Sequence, residues 1–297
     1  MSVPLLDPRR LELDLPFRPL VAWEWGDADA PPIVLVHGWG DSGATFEFVA
    51  AALAADYRLI APDLAGFGES PAAQGDYWFP DYLQDLEGVL DATVGAAPVT
   101  LVGHSMGGNV CNLYAGVRPA RIASLVLLEG FGLPPTTPDE APQRYARWLD
   151  QRHATPALRD FADVGTLHRH LQRLAPSAAP EVLAAIALRW ARPVGDGAWR
   201  LRMDPRHKGG HAVLYRREEA AACWRETTAP VMLVGGTCSD FFARFAGFDP
   251  VADCAAHYRR CTTHWLEGAG HMMHWEQPLA VAALIREAAG RAAQGAA

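Results

Sequence analysis

The chain has 297 residues, a length that fits one large domain or a core domain with an insertion. Half of the residues are hydrophobic and a fifth are charged, which is typical of a globular protein and argues against a disordered chain. The net charge of −8 argues against a nucleic-acid partner.

The cysteine content and the hydropathy pattern predict a cytoplasmic protein. Five cysteines are an odd number and no CxxC pair occurs, which argues against a disulfide framework and a zinc site. The first ten residues do not join a basic segment to an apolar one, so they do not predict a signal peptide. No run of about 18 apolar residues occurs, so we expect neither a membrane-spanning helix nor a membrane partner. No pattern in the sequence predicts the oligomeric state.

Short apolar runs, which predict buried strands, alternate along the chain with stretches that predict helices. The first two runs, residues 11–15 and 20–25, predict an antiparallel hairpin. Further strands are expected at residues 33–36, 58–61, 99–102, 124–128, 231–234 and 263–266. Helices are expected at residues 44–54, 81–94, 106–117 and 278–289. This alternation favours an α/β fold with a mostly parallel eight-stranded sheet and helices on both faces.

The alternation stops after Glu129 and resumes at Pro230. The segment between them contains no convincing strand and predicts helices interrupted by prolines. We therefore expect a core domain of residues 1–130 and 225–297, with a helical cap inserted at residues 131–224. Insertions of this size carry function more often than simple connections do.

The strongest chemical signal is the segment Gly103-His104-Ser105-Met106-Gly107, between an apolar strand and a helix. This G-x-S-x-G pattern predicts a sharp strand-to-helix turn that lifts the serine oxygen above the sheet. Because the helix begins there, free N–H groups and the helix dipole favour negative charge beside the serine. Ser105 is thus the predicted nucleophile.

Two further segments could complete an acyl-transfer site. An apolar strand ends at His37-Gly38, and the backbone N–H groups of Trp39 and Met106 could hold an oxyanion. His271 follows the last strand on a glycine-rich loop and is the predicted general base. His274 is a rival for that role, and we expect it to line the pocket instead. The pair of histidines lacks the pattern of a zinc protease, so no metal is expected.

Two carboxylates could orient the histidine. Asp240 follows the strand at 231–234, and Glu129 ends the strand at 124–128. Both satisfy the position that the orienting role needs. Asp240 is the preferred candidate, and Glu129 stays open as its competitor.

With these segments in place, the chain resembles the α/β-hydrolase superfamily over residues 20–130 and 225–290. Besides the turn at Ser105, four segments look like the family's motifs: residues 36–43, 61–71, 235–242 and 270–278. Residues 76–82 and 127–134 are similar to the serine hydrolase-like branch. Haloalkane dehalogenases and epoxide hydrolases share the layout, but they use aspartate where this chain has Ser105.

The resemblance implies an α/β-hydrolase fold with a helical cap after the sixth strand, and a serine hydrolase that needs no cofactor. The expected substrate is a small or medium apolar carboxylic ester. Phe131 and Trp148 of the insertion, with Met272 and His274 beside the base, are candidates for its pocket. A lactonase, an amidase or a carbon–carbon bond hydrolase would use the same triad. A ligand-binding sensor that has kept the fold is a further alternative, although such proteins often lose a triad residue.

Overall fold

The computed structural model describes residues 6–152, 156–245 and 247–295. The first five residues, which open the segment considered above for a signal peptide, lie outside the described residues, as do both ends of the predicted core domain. The described residues contain ten strands: β1 (Arg9–Asp14), β2 (Pro19–Trp25), β3 (Pro32–Val36), β4 (Arg58–Asp63), β5 (Val99–His104), β6 (Ile122–Leu128), β7 (Ala191–Gly195), β8 (Ala198–Leu201), β9 (Val231–Gly236) and β10 (Cys261–Leu266).

Eight of these strands form one sheet in the order β1-β2-β4-β3-β5-β6-β9-β10. The pairs β1–β2 and β2–β4 are antiparallel, and all later pairs are parallel. The expected hairpin and the mostly parallel eight-stranded sheet are therefore confirmed. The parallel strands β3, β4, β5, β6 and β9 are buried on both faces, which explains why they occur in the sequence as largely apolar runs, whereas the edge strand β10 is partly exposed.

Helices cover both faces of the sheet. The α-helices are α1 (Glu47–Leu53), α2 (Phe79–Thr93), α3 (Ser105–Val117), α4 (Ala141–Arg152), α5 (Val164–Leu174), α6 (Pro180–Trp190), α7 (Arg217–Glu226), α8 (Pro250–Ala255), α9 (Met273–Glu276) and α10 (Pro278–Gly295). One apolar cluster joins the sheet to α2, α3 and α7, and a second joins the opposite face to α1 and α10. In α2 the buried residues lie on one helical face: Tyr82, Asp85, Leu86, Val89 and Leu90.

The insertion between β6 and β9 has an apolar cluster of its own. Side chains from α5 and α6 pack together there, with Trp275 of α9 beneath them. This cluster holds the insertion against the edge of the core at which β10 ends.

The insertion also contains the antiparallel pair β7–β8, so the expectation that this segment has no strand was wrong. The turn between the two strands is Gly195-Asp196-Gly197, and all three residues have positive φ. An Asp-Gly pair between two short strands is a hairpin signal. Proline and arginine in the short β7 masked it, because they are unusual in a buried strand.

The last helix of the predicted insertion packs as part of the core. Helix α7 lies against α3, and Trp224 is buried in the first apolar cluster. The packing therefore changes from insertion to core at the start of α7. The division of the chain at residues 131 and 224 stays a prediction. Among the described residues, no helix combines the length and the apolar character needed to cross a membrane.

Two helical glycines provide a test of the α3–α7 contact. A Cβ atom on Gly116 would lie 1.9 Å from the backbone oxygen of Cys223, so helix α7 would have to move. We expect Gly116→Ala to lower the free energy of unfolding by about 3 kcal/mol, as overpacking does. Gly290 in α10 has no atom within 4 Å of such a Cβ. Gly290→Ala should therefore raise stability by about 1 kcal/mol in urea denaturation. Equal effects of the two substitutions would contradict the close packing of α3 on α7.

Candidate active site

Ser105 lies where β5 turns into α3, and its backbone is strained. Its φ is +51°, in the left-handed region that side-chain-bearing residues rarely adopt. The turn is tight because Gly103 and Gly107 face each other: a Cβ on Gly103 would lie 2.6 Å from the Gly107 oxygen. The sequence pattern predicted this turn, and the strain holds the serine hydroxyl above the end of the sheet.

A line of hydrogen bonds runs from Ser105 through His271 to Glu129. The Ser105 hydroxyl donates to His271 Nε2 over 3.0 Å, and His271 Nδ1 donates to Glu129 Oε2 over 2.5 Å. The imidazole therefore accepts from the serine on one side and donates to the carboxylate on the other. This geometry suits proton transfer from the serine during nucleophilic attack.

Glu129, rather than Asp240, occupies the orienting position, so the preference for Asp240 is corrected. Glu129 follows β6 with a φ of +51° and is fully buried. Its two oxygens also accept hydrogen bonds from Gly236 N–H, over 3.0 Å, and from the Ser239 hydroxyl, over 2.7 Å. Three donors thus offset the loss of water around this buried carboxylate.

Asp240 is exposed and begins a short 3-10 helix, Asp240–Arg244, after β9. The described residues include no hydrogen bond between Asp240 and His271. The loop that was expected to supply the carboxylate instead supplies two hydrogen-bond donors to the competing one. Strands β6 and β9 are neighbours in the sheet, so both candidates lie at the same edge. The difference between them is one of side-chain direction, which the sequence pattern does not encode.

Phe241, in the same 3-10 helix, stacks on the base. Its ring is parallel to the His271 ring, with the centroids 5.3 Å apart and an angle of 3° between the planes. Phe241 itself is buried, so the imidazole has one apolar wall. Sequence analysis missed this contact, because an aromatic residue two positions after Ser239 carries no recognisable motif.

The predicted oxyanion donors lie on two segments that touch. A Cβ on Gly38 would lie 3.2 Å from the Ser105 Cβ, and one on Gly107 would lie 2.3 Å from the His37 oxygen. Met106 is in the first turn of α3, where backbone N–H groups have no partner within the helix. The Trp39 N–H donates no hydrogen bond within the described part of the chain. Both groups are therefore free to bind a ligand oxygen, and their role as oxyanion donors stays a prediction.

His37 itself holds the loop in place, in a single neutral tautomer. Its Nδ1 donates to the Gly38 oxygen over 2.7 Å, and its Nε2 accepts from the Leu64 N–H over 3.0 Å. Burial is the main cause that lowers the pKa of His37, so the ring stays neutral.

A buried cluster of His104, His274 and Asp41 lies beneath the triad. His104 Nε2 donates to the backbone oxygen of His271 over 2.8 Å, and His274 Nε2 donates to Asp41 Oδ2 over 3.1 Å. Burial and the neighbouring histidines hold the pKa of His104 well below its usual value. One ligand atom from each of the three side chains lies within 4.8 Å of the others, so this is where the described residues could hold a metal ion. Since Asp41 already accepts from His274, we interpret the group as a hydrogen-bonded cluster.

A cavity of about 630 Å³ opens above Ser105, between the insertion and the core. Of the four pocket candidates, Trp148 lines it, together with Trp39 and Met106. Phe131, Met272 and His274 do not, which corrects three expectations. Phe131 is buried in the core beside Phe241, Met272 packs into the insertion's apolar cluster, and His274 lies in the buried cluster below the site.

His207 joins the insertion to the core at the cavity wall. Its ring lies between the rings of Phe67 and Tyr77, with centroid distances of 3.8 and 3.7 Å. Its Nε2 donates to the Ala65 oxygen over 3.1 Å, and its backbone oxygen accepts from the Trp39 indole over 3.3 Å. The insertion thus contacts the side chain of the predicted oxyanion residue.

Comparison with known proteins places these features in a family. The sequence profile described as alpha/beta hydrolase fold matches residues 31–278. A 3-hydroxybutyrate-oligomer hydrolase from Cupriavidus necator is 30% identical over 276 residues, which cover 87% of this chain and 89% of that protein. A serine hydrolase-like protein from Danio rerio is 33% identical over 126 residues, 42% of this chain and only 38% of that protein.

Comparison with solved structures supports the same fold. The thioesterase domain from the curacin biosynthetic pathway superposes with a TM-score of 0.81 and 26% identity, over 94% of this chain and 99% of that domain. The fold class and the serine hydrolase-like branch expected from the motifs are confirmed.

The environment of His207 predicts a pH-dependent stability. Burial lowers the pKa of His207 to about 4, whereas an unfolded histidine titrates near pH 6.5. Between these values the unfolded chain binds a proton that the folded chain does not. Stability is therefore lost as the pH falls, by about 2 kcal/mol from this residue between pH 7 and pH 5. We expect His207→Gln to remove that part of the pH dependence in urea denaturation. An unchanged difference between the two pH values would show that His207 does not contribute.

Proposed function

This chain belongs to the α/β-hydrolase family and is an enzyme of that fold, and from this premise we propose that it cleaves a carboxylic ester through Ser105, His271 and Glu129. The observation that carries the proposal is the continuous hydrogen-bond line through these three side chains. Acyl transfer needs a serine nucleophile, a histidine base within hydrogen-bond reach of it, and a carboxylate that fixes the tautomer of the histidine.

In the proposed mechanism, His271 Nε2 takes the proton of Ser105 as the serine oxygen attacks the ester carbonyl. Glu129 stabilises the imidazolium that forms. The N–H groups of Trp39 and Met106 hold the oxyanion of the tetrahedral intermediate. The carbon–oxygen bond then breaks, and the leaving alcohol takes the proton from His271. Water attacks the acyl-enzyme by the same route, which releases the acid and restores Ser105.

The ester class is supported by several relatives. The Cupriavidus necator protein is named as an oligomer hydrolase, and a further relative, from Aeromonas salmonicida, is named as a methyl ester esterase. The size of the cavity suits a small or medium acyl group, and its wall includes Trp39 and Trp148. Lactones, amides and carbon–carbon bonds could be cleaved by the same three side chains, so the substrate panel below includes them. A sensor without catalysis is disfavoured, because the hydrogen-bond line is complete.

The insertion acts as a cap in this proposal. It covers Ser105 and contributes Trp148 and His207 to the cavity wall, so it would set the acyl specificity. The substrate is a small molecule. A cytoplasmic location remains a proposal, which is supported by the five cysteines, all of which are free.

The first test is hydrolysis of p-nitrophenyl esters from acetate to decanoate. We expect turnover in the wild type and a loss of about 10⁶-fold in kcat for Ser105→Ala, the size seen when a catalytic serine is removed. A lactone, an anilide and a β-diketone are assayed in parallel. Turnover of one of these alone would replace the ester assignment, and equal rates with Ser105→Ala would exclude a serine nucleophile.

A pair of charge-matched variants tests the carboxylate. Glu129→Gln should lower kcat by about 10⁴-fold, because the amide stabilises neither the required tautomer nor the imidazolium. Asp240→Asn removes the same charge from an exposed side chain and should leave kcat within about twofold. Circular dichroism of both variants checks that they fold. The opposite pattern of rates would reinstate Asp240.

A further inference from the structure

We propose that Arg244 forms a carboxylate-binding subsite on the leaving-group side of the cavity, so that the preferred esters carry a carboxylate on their alcohol part. The proposal rests on the ester hydrolysis proposed above and names its substrate class: acylated hydroxy acids. Hydrolysis then consumes water and releases a carboxylic acid and a free hydroxy acid.

Arg244 lies on the same turn as Phe241, the residue that stacks on His271. Arg244 ends the 3-10 helix that contains Phe241, and it lines the cavity above Ser105. Its guanidinium carbon lies 5.7 Å from the centre of the Phe241 ring. His271 stacks on the same Phe241 ring, so the cation and the base are both neighbours of Phe241.

Among the residues that the structure describes, the other arginines of the cavity wall have carboxylate partners, and Arg244 does not. Arg206 donates to Asp204, over 2.6 Å, and to two backbone oxygens, and Arg152 forms an ion pair with Asp76, also over 2.6 Å. Arg244 has no carboxylate partner within the described ranges, and the exposed Asp240 of its own turn forms no ion pair with it.

The histidines in the wall do not supply a second cation. His207 has an ordinary neutral hydrogen-bond pattern, because Nε2 donates to Ala65 and Nδ1 accepts from the Tyr82 hydroxyl over 3.3 Å. Burial lowers the pKa of His211 as well. Near neutral pH, the described part of the cavity wall therefore offers one uncommitted positive charge, that of Arg244.

The chemistry of His271 determines on which side of the cavity the leaving group lies. In the proposed mechanism, its Nε2 must deliver a proton to the alcohol oxygen, so the alcohol part of the ester lies next to the imidazole. Phe241 stacks on that ring, and Arg244 lies over Phe241 and lines the same cavity. A carboxylate that extends from the alcohol part can thus meet the guanidinium fork, which binds carboxylates through two parallel hydrogen bonds.

The test compares acetate esters of hydroxy acids with neutral acetates of the same length. The series runs from acetoxyacetate to 6-acetoxyhexanoate, with the matching alkyl acetates, and rates are measured by pH-stat titration. We expect kcat/KM to favour the anionic ester, with a maximum at one chain length. In Arg244→Gln, the anionic-to-neutral ratio should fall about tenfold, which corresponds to the loss of one charge-assisted contact.

Arg259→Gln is the matched control. Arg259 is exposed, lies outside the cavity lining and has no carboxylate partner within the described part of the chain, so the variant makes the same change in net charge elsewhere. The ratio should stay at the wild-type value in this variant, and Arg244→Lys should keep part of the preference.

Each of the following outcomes would overturn the proposal. The ratio could be the same in Arg244→Gln and wild type, or it could fall equally in Arg259→Gln. The effect could also occur with monoethyl esters of dicarboxylic acids, which carry the charge on the acyl side. Turnover of neutral acetates without any anionic preference would refute the subsite and leave the ester function standing. No turnover of any ester would refute the proposed function itself.

Discussion

The hydrogen bond between His271 and Glu129 is the interaction that the rest of the site depends on. A fully buried carboxylate is unfavourable unless its oxygens are paired with donors. Glu129 meets this requirement with three donors: His271, the backbone of Gly236 and the hydroxyl of Ser239. Gly236 ends β9, Ser239 follows it and His271 lies on the loop after β10, whereas Glu129 follows β6. The carboxylate is therefore satisfied only when the three strands are in register, so assembly of the sheet and assembly of the site are the same event.

A second group of buried hydrogen bonds fixes the other parts of the site relative to the bond between His271 and Glu129. Asp41 follows the oxyanion loop, His104 precedes the nucleophile, and His274 follows the base. Their hydrogen bonds join the loop to α9 and the end of β5 to the backbone of His271. Each of the three reacting segments is thus fixed from below by a neighbour of its functional residue. The strain at Ser105 can persist because the turn is held on both sides.

The predictable parts of this architecture are those that local sequence patterns determine. Apolar runs and turn glycines encode the strands and the turn at Ser105, and the glycine-rich loop encodes the position of His271. The choice between Asp240 and Glu129 was not predictable, because both follow neighbouring parallel strands and differ only in the direction of a side chain. The same is true of the pocket. Phe131 and Met272 follow core strands closely, but their side chains point into apolar clusters rather than into the cavity.

Specificity and catalysis are separated in this molecule by their position in the fold. The reacting groups stand on the ends of sheet strands, which are buried and have little freedom to move. The cavity wall comes in large part from the insertion, which several contacts join to the core near the cavity. Among them are the ring of His207 between Phe67 and Tyr77, the His207 oxygen with the Trp39 indole, and the ion pair between Arg152 and Asp76. The indole of Trp39 belongs to the loop whose N–H is the proposed oxyanion donor. A change in the insertion can therefore reach this loop through the bond between the Trp39 indole and the His207 oxygen, while the bond between His271 and Glu129 lies within the core and involves no residue of the insertion.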